Sequence, residues 1–465
     1  MKEAHESENK NILLGVVMVT SFINPFMGAA INIALPHIAK DLEMGTLGMS
    51  WVGMSFLLSS AVFLVPMGKI ADIKGRKRIF LYGNIIVTLA SAICALASTP
   101  TILLTGRVVQ GIGSSMMFGT GMAMITSAFP PQKRGKAIGL VVSAVYLGLS
   151  AAPVLGGFLT QYLGWRSLFY ITIPVGALVV ILTATLLKND RVDARQDPFD
   201  WRGSLVYILS MSVLMIGFTK LPNPLAILAS IFGLAGIIGF VKLEMKTASP
   251  VINIQLFRHN RIFAFSNLAA LINYAATFAI SFLLSLYLQY IKGLSPRDTG
   301  LLLITQPIVM TIFATISGRL SDRYNPNLLS SMGMSIIVVG LMLLVAVDAE
   351  TSGGYIMAVL VVLGMGFGLF SSPNTNAIMS SVQKQELGIA SATVSTMRLT
   401  GQMFSMGLAT MILQIYLGST KSIIEQPDNF IRSFRTAFIL FALLCMAGVF
   451  AALARHRKQT EAEAE

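Results

Sequence analysis

A chain of 465 residues that is 54% hydrophobic and only 12% charged, with a mean hydropathy of +0.73, is too apolar for a soluble globular domain and reads as a polytopic membrane protein. Its formal net charge of +13 does not describe a nucleic-acid binder, because the cations punctuate apolar runs instead of clustering beside polar or aromatic surface. Cys94 and Cys445 both lie inside apolar runs, so no disulfide framework is indicated.

Crossing the hydrocarbon takes about 20 mostly apolar residues, and fourteen such runs are bounded by charge, Pro or Gly clusters. They begin near Asn11, Trp51, Arg78, Thr101, Lys136, Trp165, Trp201, Pro224, Ile262, Thr299, Leu328, Tyr355, Gly388 and Ser433. The first is too long for a signal-peptide core and lacks a cleavage site, which makes it a retained span. Lys and Arg favour alternate connections by roughly three to one, and by the positive-inside rule this places both termini on the cytoplasmic side of the cell membrane.

After the second run comes "GKIADIKGRKR", beginning at Gly68, in which a lone Asp72 sits among cations. "GRLSDRYNPN", beginning at Gly318, echoes it, with Gly four residues before Asp322 and Arg323 just after. The echo predicts a duplicated chain: six spans over residues 1–187, a linker with two extra spans over 188–261, and six spans with a tail over 262–465. Duplicated six-span halves around a central pathway are a recurring transporter architecture.

The stretch from Gly68 resembles the signature of the major facilitator superfamily between spans 2 and 3, with Gly68, Asp72, Gly75, Arg76 and Arg78 in motif positions and Lys74 one place late. "RVVQGIG" from Arg107, "GLSAAPVLGG" from Gly148, "GWRSLFYITIPVG" from Gly164 and "FDWRG" before the seventh run extend the likeness over the whole chain, to the fourteen-span drug:proton antiporter family. The resemblance implies an all-α membrane fold, two six-helix bundles with two extra central helices. It also implies a monomeric secondary transporter that exports amphipathic drugs or metabolites by alternating access, with protons as coupling ion. In the family, Asp72 latches the cytoplasmic side closed against the start of the span near Gly388, aided by Arg76 or Arg78, with Asp322 and Arg323 as its mirror. The plainer reading is that these charges only set topology. Gly148, Pro153, Gly156 and Gly157 resemble the antiporter motif, with Ala152 where the family has Gly; ordinary small-residue packing is the competing account.

Two ionisable groups fall inside spans, Arg107 about two turns into the fourth and Arg398 deeper in the thirteenth, and both are coupling candidates because burying charge in lipid costs at least about 2.5 kcal/mol. For Arg107 the structural alternative is a hydrogen-bond anchor to span 1. All acids fall in loops or tails on this map, and Met27 occupies the span 1 position where the family commonly carries an acid. That vacancy favours an alternative function, a facilitator or exporter of a neutral or anionic metabolite without obligatory proton exchange. Polar or adaptable candidates for a substrate cavity are Asn24, Met27, Asn32, Gln110, Tyr146, Asn273, Gln306, Asn374 and Gln402, each of which could equally be a helix-packing hydrogen bond. No phosphate-binding Gly-x-x-x-x-Gly-Lys-(Ser/Thr) run is present, so neither ATP nor another cofactor is expected. Paired carboxylates, a His cluster or an activated nucleophile, which a membrane-embedded enzyme requires, are not visible, and no metal site is expected.

Overall fold

The computed structural model describes the backbone over residues 2–186, 198–247, 250–252, 254–321, 323–383, 387–418 and 423–462, and the side chains over the same residues except 2–9, 131–133, 135, 387–388 and 451–462. No β-strand occurs among the described residues. An apolar chain in lipid has to satisfy its backbone within each segment, and a helix does this one segment at a time.

From the N-terminus the helices are α1 (Lys2–Asp41), α2 (Thr46–Lys74), α3 (Arg76–Ala95), α4 (Pro100–Ala128), α5 (Pro131–Leu163), the short α6 (Ser167–Tyr170), α7 (Thr172–Leu186), α8 (Trp201–Thr219) and α9 (Pro224–Glu244). They continue with α10 (Ile254–His259), α11 (Arg261–Thr277), α12 (Ala279–Leu286) running into a π-helical turn (Tyr287–Ile291), α13 (Pro296–Leu303), α14 (Thr305–Leu320), α15 (Pro326–Val345), α16 (Gly353–Ser380), α17 (Leu387–Leu417) and α18 (Pro427–Ala462). Side-chain oxygens start several of them: Thr99, Asn260, Ser295 and Ser352 accept from Ile102, Phe263, Asp298 and Tyr355 backbone N–H groups. Such caps satisfy donors that the first turn leaves without partners.

Thirteen segments among the described residues are long and apolar enough to cross a membrane. Thirteen of the fourteen predicted runs coincide with them. The remaining run, from Gly388, is the 31-residue helix α17, which falls outside that count because Ser391, Thr393, Ser395, Thr396, Arg398, Thr400 and Gln402 dilute its apolar character. Long polar-bearing helices of this kind are stable in a membrane when their polar face is turned to protein.

The chain divides into two compact units, one made of Met1–Met44, Gly48–Ile216 and Leu228–Ile252, the other of Gly45–Leu47, Gly217–Ile227 and Asn253–Glu465. In the first, Leu13, Val16 and Val17 of α1 meet Phe80 and Val87 of α3, Met117, Met124 and Ile125 of α4, Val141 of α5 and Val179 of α7. In the second, Phe263, Ile378 and Ala390 join α11, α16 and α17, and Phe430, Phe434, Phe438 and Phe441 of α18 are fully buried, with Tyr287 against Phe434. α9 stands apart: only 17% of its most apolar window is buried, and Leu225 and Phe232 are each 76% exposed. Its outward face is that of a helix bathed in lipid.

Candidate functional site

In the first unit, α2 does not stop at the end of its apolar run but continues through Asp72 to Lys74. The turn into α3 is made by Gly75 at φ 108, a backbone region that a side chain strains, so the glycine of this motif is a geometric requirement. One turn after Asp72, Arg76 donates from Nε to Asp72 Oδ1 at 2.9 Å, and its Nη2 lies 2.9 Å from the same oxygen. Arg76 Nη1 also reaches the Ala123 carbonyl of α4 at 3.4 Å. Of the two cations expected near Asp72, the structure pairs it with Arg76, while Arg78 is exposed. Gly68, one turn earlier, lies beneath Gly119 of α4, which sets the helices close at this end.

Arg107 is wholly buried. Its Nε donates to the Val52 carbonyl of α2 at 3.0 Å, its Nη1 donates to Gln110 Oε1 at 2.6 Å, and the guanidinium lies 4.4 Å from the centre of the Phe56 ring. Gln110 passes the connection to Ser91 of α3 at 2.9 Å. The anchor expected to run to span 1 runs instead to α2 and, through Gln110, to α3, because that face of α4 is turned to those helices. Among the described residues no carboxylate pairs with Arg107, and its Nη2 has no hydrogen-bond partner.

Asn24 does connect α1 with α4, accepting from Ser114 at 3.3 Å. Met27 and Asn32 are both 3% exposed, and Tyr146 is partly buried. Along the other side of α1, Gly148 and Gly156 of α5 sit directly on the backbone: a Cβ at Gly148 would overlap the Phe22 carbonyl oxygen, and one at Gly156 would lie 2.9 Å from Ala30 Cβ. Ala152 and Gly157 are also buried, and Pro153 is held within α5 without ending it. At its far end Asp41 accepts from Trp165 Nε1 at 3.1 Å and Arg166 Nη1 at 2.6 Å, while Arg166 Nη2 donates to the Ala97 carbonyl. The stretch "GWRSLFYITIPVG" thus pins the α5–α6 corner to the ends of α1 and α3.

The second unit contains the other polar group. Arg398 of α17 is partly buried and lies 5.7 Å from the centre of the Tyr274 ring of α11. The two helices touch because Gly401 faces the Leu271 carbonyl and Tyr274 Cβ. Asn273 is fully buried with neither amide atom hydrogen-bonded, and Gln402 is 7% exposed. Asn374 of α16 donates to the Ser266 carbonyl at 3.2 Å and leaves Oδ1 without a partner. Gln306 lies on α14, its carbonyl facing Gly364 of α16. Gly318 is near the end of α14 against Ser372, and Arg323 is exposed; Asp322 lies outside the described residues. The two echoes differ locally, since α14 ends at Leu320 where α2 runs on past its Asp.

Sequence reasoning missed Val52, Phe56 and Ser91 around Arg107, Ser114 opposite Asn24, and the Asp41 clasp. Nothing in the chain marks them, because each partner sits on another helix. Glu244, one of the acids that the sequence map places in loops or tails, closes α9 and is 2% exposed.

Two compact units of long apolar helices, each with a polar group sunk among them, define a polytopic membrane protein of the transporter class. The family model of the Major Facilitator Superfamily matches residues 17–401 and, in a second match, 266–465. The chain belongs to that superfamily. Riboflavin transporter RibZ of Clostridioides difficile (strain 630) is 30% identical over 394 residues, covering 84% of this chain and 85% of that protein. Multidrug resistance protein Stp of Mycobacterium tuberculosis (strain ATCC 25618 / H37Rv) is 30% identical over 417 residues, covering 88% and 75%. The solved structure of a bacterial homologue of the human lysosomal transporter Spinster superposes with a TM-score of 0.70 over 97% of both chains at 15% identity, which establishes the major facilitator fold.

Proposed function

We propose that the protein exports amphipathic drugs or metabolites across the cell membrane by alternating access, in antiport with protons, as a monomer with both termini in the cytoplasm. The observation that carries this reading is the glycine seam of α5 on α1, at the stretch that resembles the antiporter motif. The name of the Stp relative, a multidrug resistance protein, agrees with it. In this reading the Asp72–Arg76 pair is the latch, with Asp322 and Arg323 its mirror, and Arg107 and Arg398 act in coupling. Asp72→Asn keeps membrane insertion, because acids contribute little to orientation, and abolishes export. Immunoblotting of the membrane fraction beside a dye-efflux assay measures both; undiminished efflux removes the latch.

A second reading, export or facilitation of a neutral or anionic metabolite without obligatory proton exchange, is favoured by one observation. Met27 leaves the usual acid position of α1 apolar and buried, while the buried cation Arg107 has no acid beside it among the described residues. RibZ, named as a riboflavin transporter, fits cargo of that type. Reconstituted vesicles loaded with a pH-sensitive dye separate the two: substrate-dependent proton movement is the expected result for antiport, and cargo flux with no pH change would establish the second reading. An anionic dye is expected to be exported in preference to a cationic one of similar size, since a buried guanidinium without a counter-ion repels cations.

A further inference from the structure

The start of α8 and the end of α9 are joined by two carboxyl groups that face each other. Asp200 precedes α8, and its Oδ1 accepts from the Gly203 backbone N–H at 2.8 Å. Glu244 closes α9, and its Oε2 accepts from the Ile252 backbone N–H at 2.9 Å. The remaining oxygens, Asp200 Oδ2 and Glu244 Oε1, are both buried and have no donor. Both converge on Gly203, where a Cβ would collide with each of them. Burial of Glu244 is unusual for its position, because α9 exposes most of its surface and neighbouring Lys242, Met245 and Lys246 are exposed. Among the described residues no Lys, Arg or His pairs with either carboxyl; Arg202, two residues after Asp200, is exposed.

Two ionised carboxylates in this position would be acceptors facing acceptors, a like-charge contact without solvent to screen it. A divalent cation does not suit the place: it takes six or so oxygen ligands, whereas one oxygen of each carboxyl is already committed to a backbone N–H and Gly203 closes the space. A single proton supplies the missing donor. We propose that Asp200 and Glu244 form a proton-binding site: one proton taken from water is held between Asp200 Oδ2 and Glu244 Oε1 and ties the ends of α8 and α9 together. The proton belongs to the pair rather than to either group. No covalent bond is made or broken other than O–H, and the proton returns to water when the pair ionises. Gly203 is glycine because the two oxygens need the room that a methyl group would take.

Infrared spectroscopy of the full chain in lipid, titrated with acid and base, tests this without reference to transport, so its failure is distinguishable from failure of the transport reading. The wild type is expected to show a protonated-carboxyl C=O band near neutral pH that disappears on alkalinisation. Glu244→Gln and Asp200→Asn each lose the band. In Glu244→Gln the amide N–H takes the place of the shared proton, so the variant keeps its melting temperature near neutral pH and no longer loses stability at alkaline pH as the wild type does. If either single variant fails to fold, the double variant Asp200→Asn/Glu244→Gln, which retains one amide donor facing an acceptor, supplies the same comparison. Persistence of the band in both single variants overturns the proposal. So does a wild-type melting temperature that rises with added sodium or magnesium ions and not with acid, which would assign the site to a metal cation.

Discussion

Replacing Arg107 by Met is expected to cut transport sharply while leaving a folded protein. The energies oppose one another: sinking an unpaired guanidinium into a membrane bundle costs at least about 2.5 kcal/mol, and its two charge-assisted bonds, to Val52 and Gln110, return about 1.5–3 kcal/mol each. An unbranched apolar side chain removes both contributions and fills much of the same volume. Gln110 then lacks one donor, a loss of about 0.6 kcal/mol by the average for interhelical bonds in membranes. The net destabilisation is at most about 4 kcal/mol on these figures, measured by thermal unfolding in detergent. Export falls by at least about tenfold, equivalent to about 1.4 kcal/mol of lost coupling. Arg107→Lys fares no better, because one ammonium cannot hold Val52, Gln110 and the face of Phe56 in the geometry of a planar fork. Full export by the Met variant would show that the guanidinium has only a packing role.

Two glycines of the same helix are expected to respond to alanine with opposite signs. Gly148→Ala drives a methyl group into the Phe22 carbonyl, forcing α1 and α5 apart at a cost of about 1–3 kcal/mol, and export drops with it because the seam is where the two helices bear on one another. Gly139 lies on the same helix, and a methyl group added there would find no atom within 4 Å. At that position alanine improves helix propensity by about 0.8–1 kcal/mol and leaves export unchanged. Equal effects at the two sites would deny any special closeness between α1 and α5. Gly156→Ala, with Ala30 Cβ as its obstacle, falls between them, since one methyl group can move aside more readily than a backbone carbonyl.

The Arg76 bridge also separates structure from switching. Its two contacts to one oxygen of Asp72 are partly exposed, and an exposed pair of this type is worth at most about 1 kcal/mol. The charge of Asp72 is therefore not explained by stability, and Asp72→Asn should leave unfolding almost unaltered even where export is lost.

Much of the architecture is legible in the chain. About twenty apolar residues are needed to cross a bilayer, so thirteen spans and their order can be read locally, and only polar α17 falls short of the same hydropathy measure. Gly75 can be read as a turn, and the small residues of α5 as a contact surface, since each reflects a backbone requirement at one position. Which helix they contact cannot be read. Spans that are apolar on all sides carry little record of which face meets protein, so rotation about each axis, and with it the partner of every polar side chain, is settled when the helices pack. For this reason the sequence points the Arg107 anchor to α1 whereas the fold carries it to α2 and α3, and nothing in the chain sets Ser114 opposite Asn24. Glu244 is the sharpest case. In the sequence it is one acid among basic connector residues, and only the meeting of α8 with α9 around Gly203 turns it into a buried carboxyl whose neighbour is another acid.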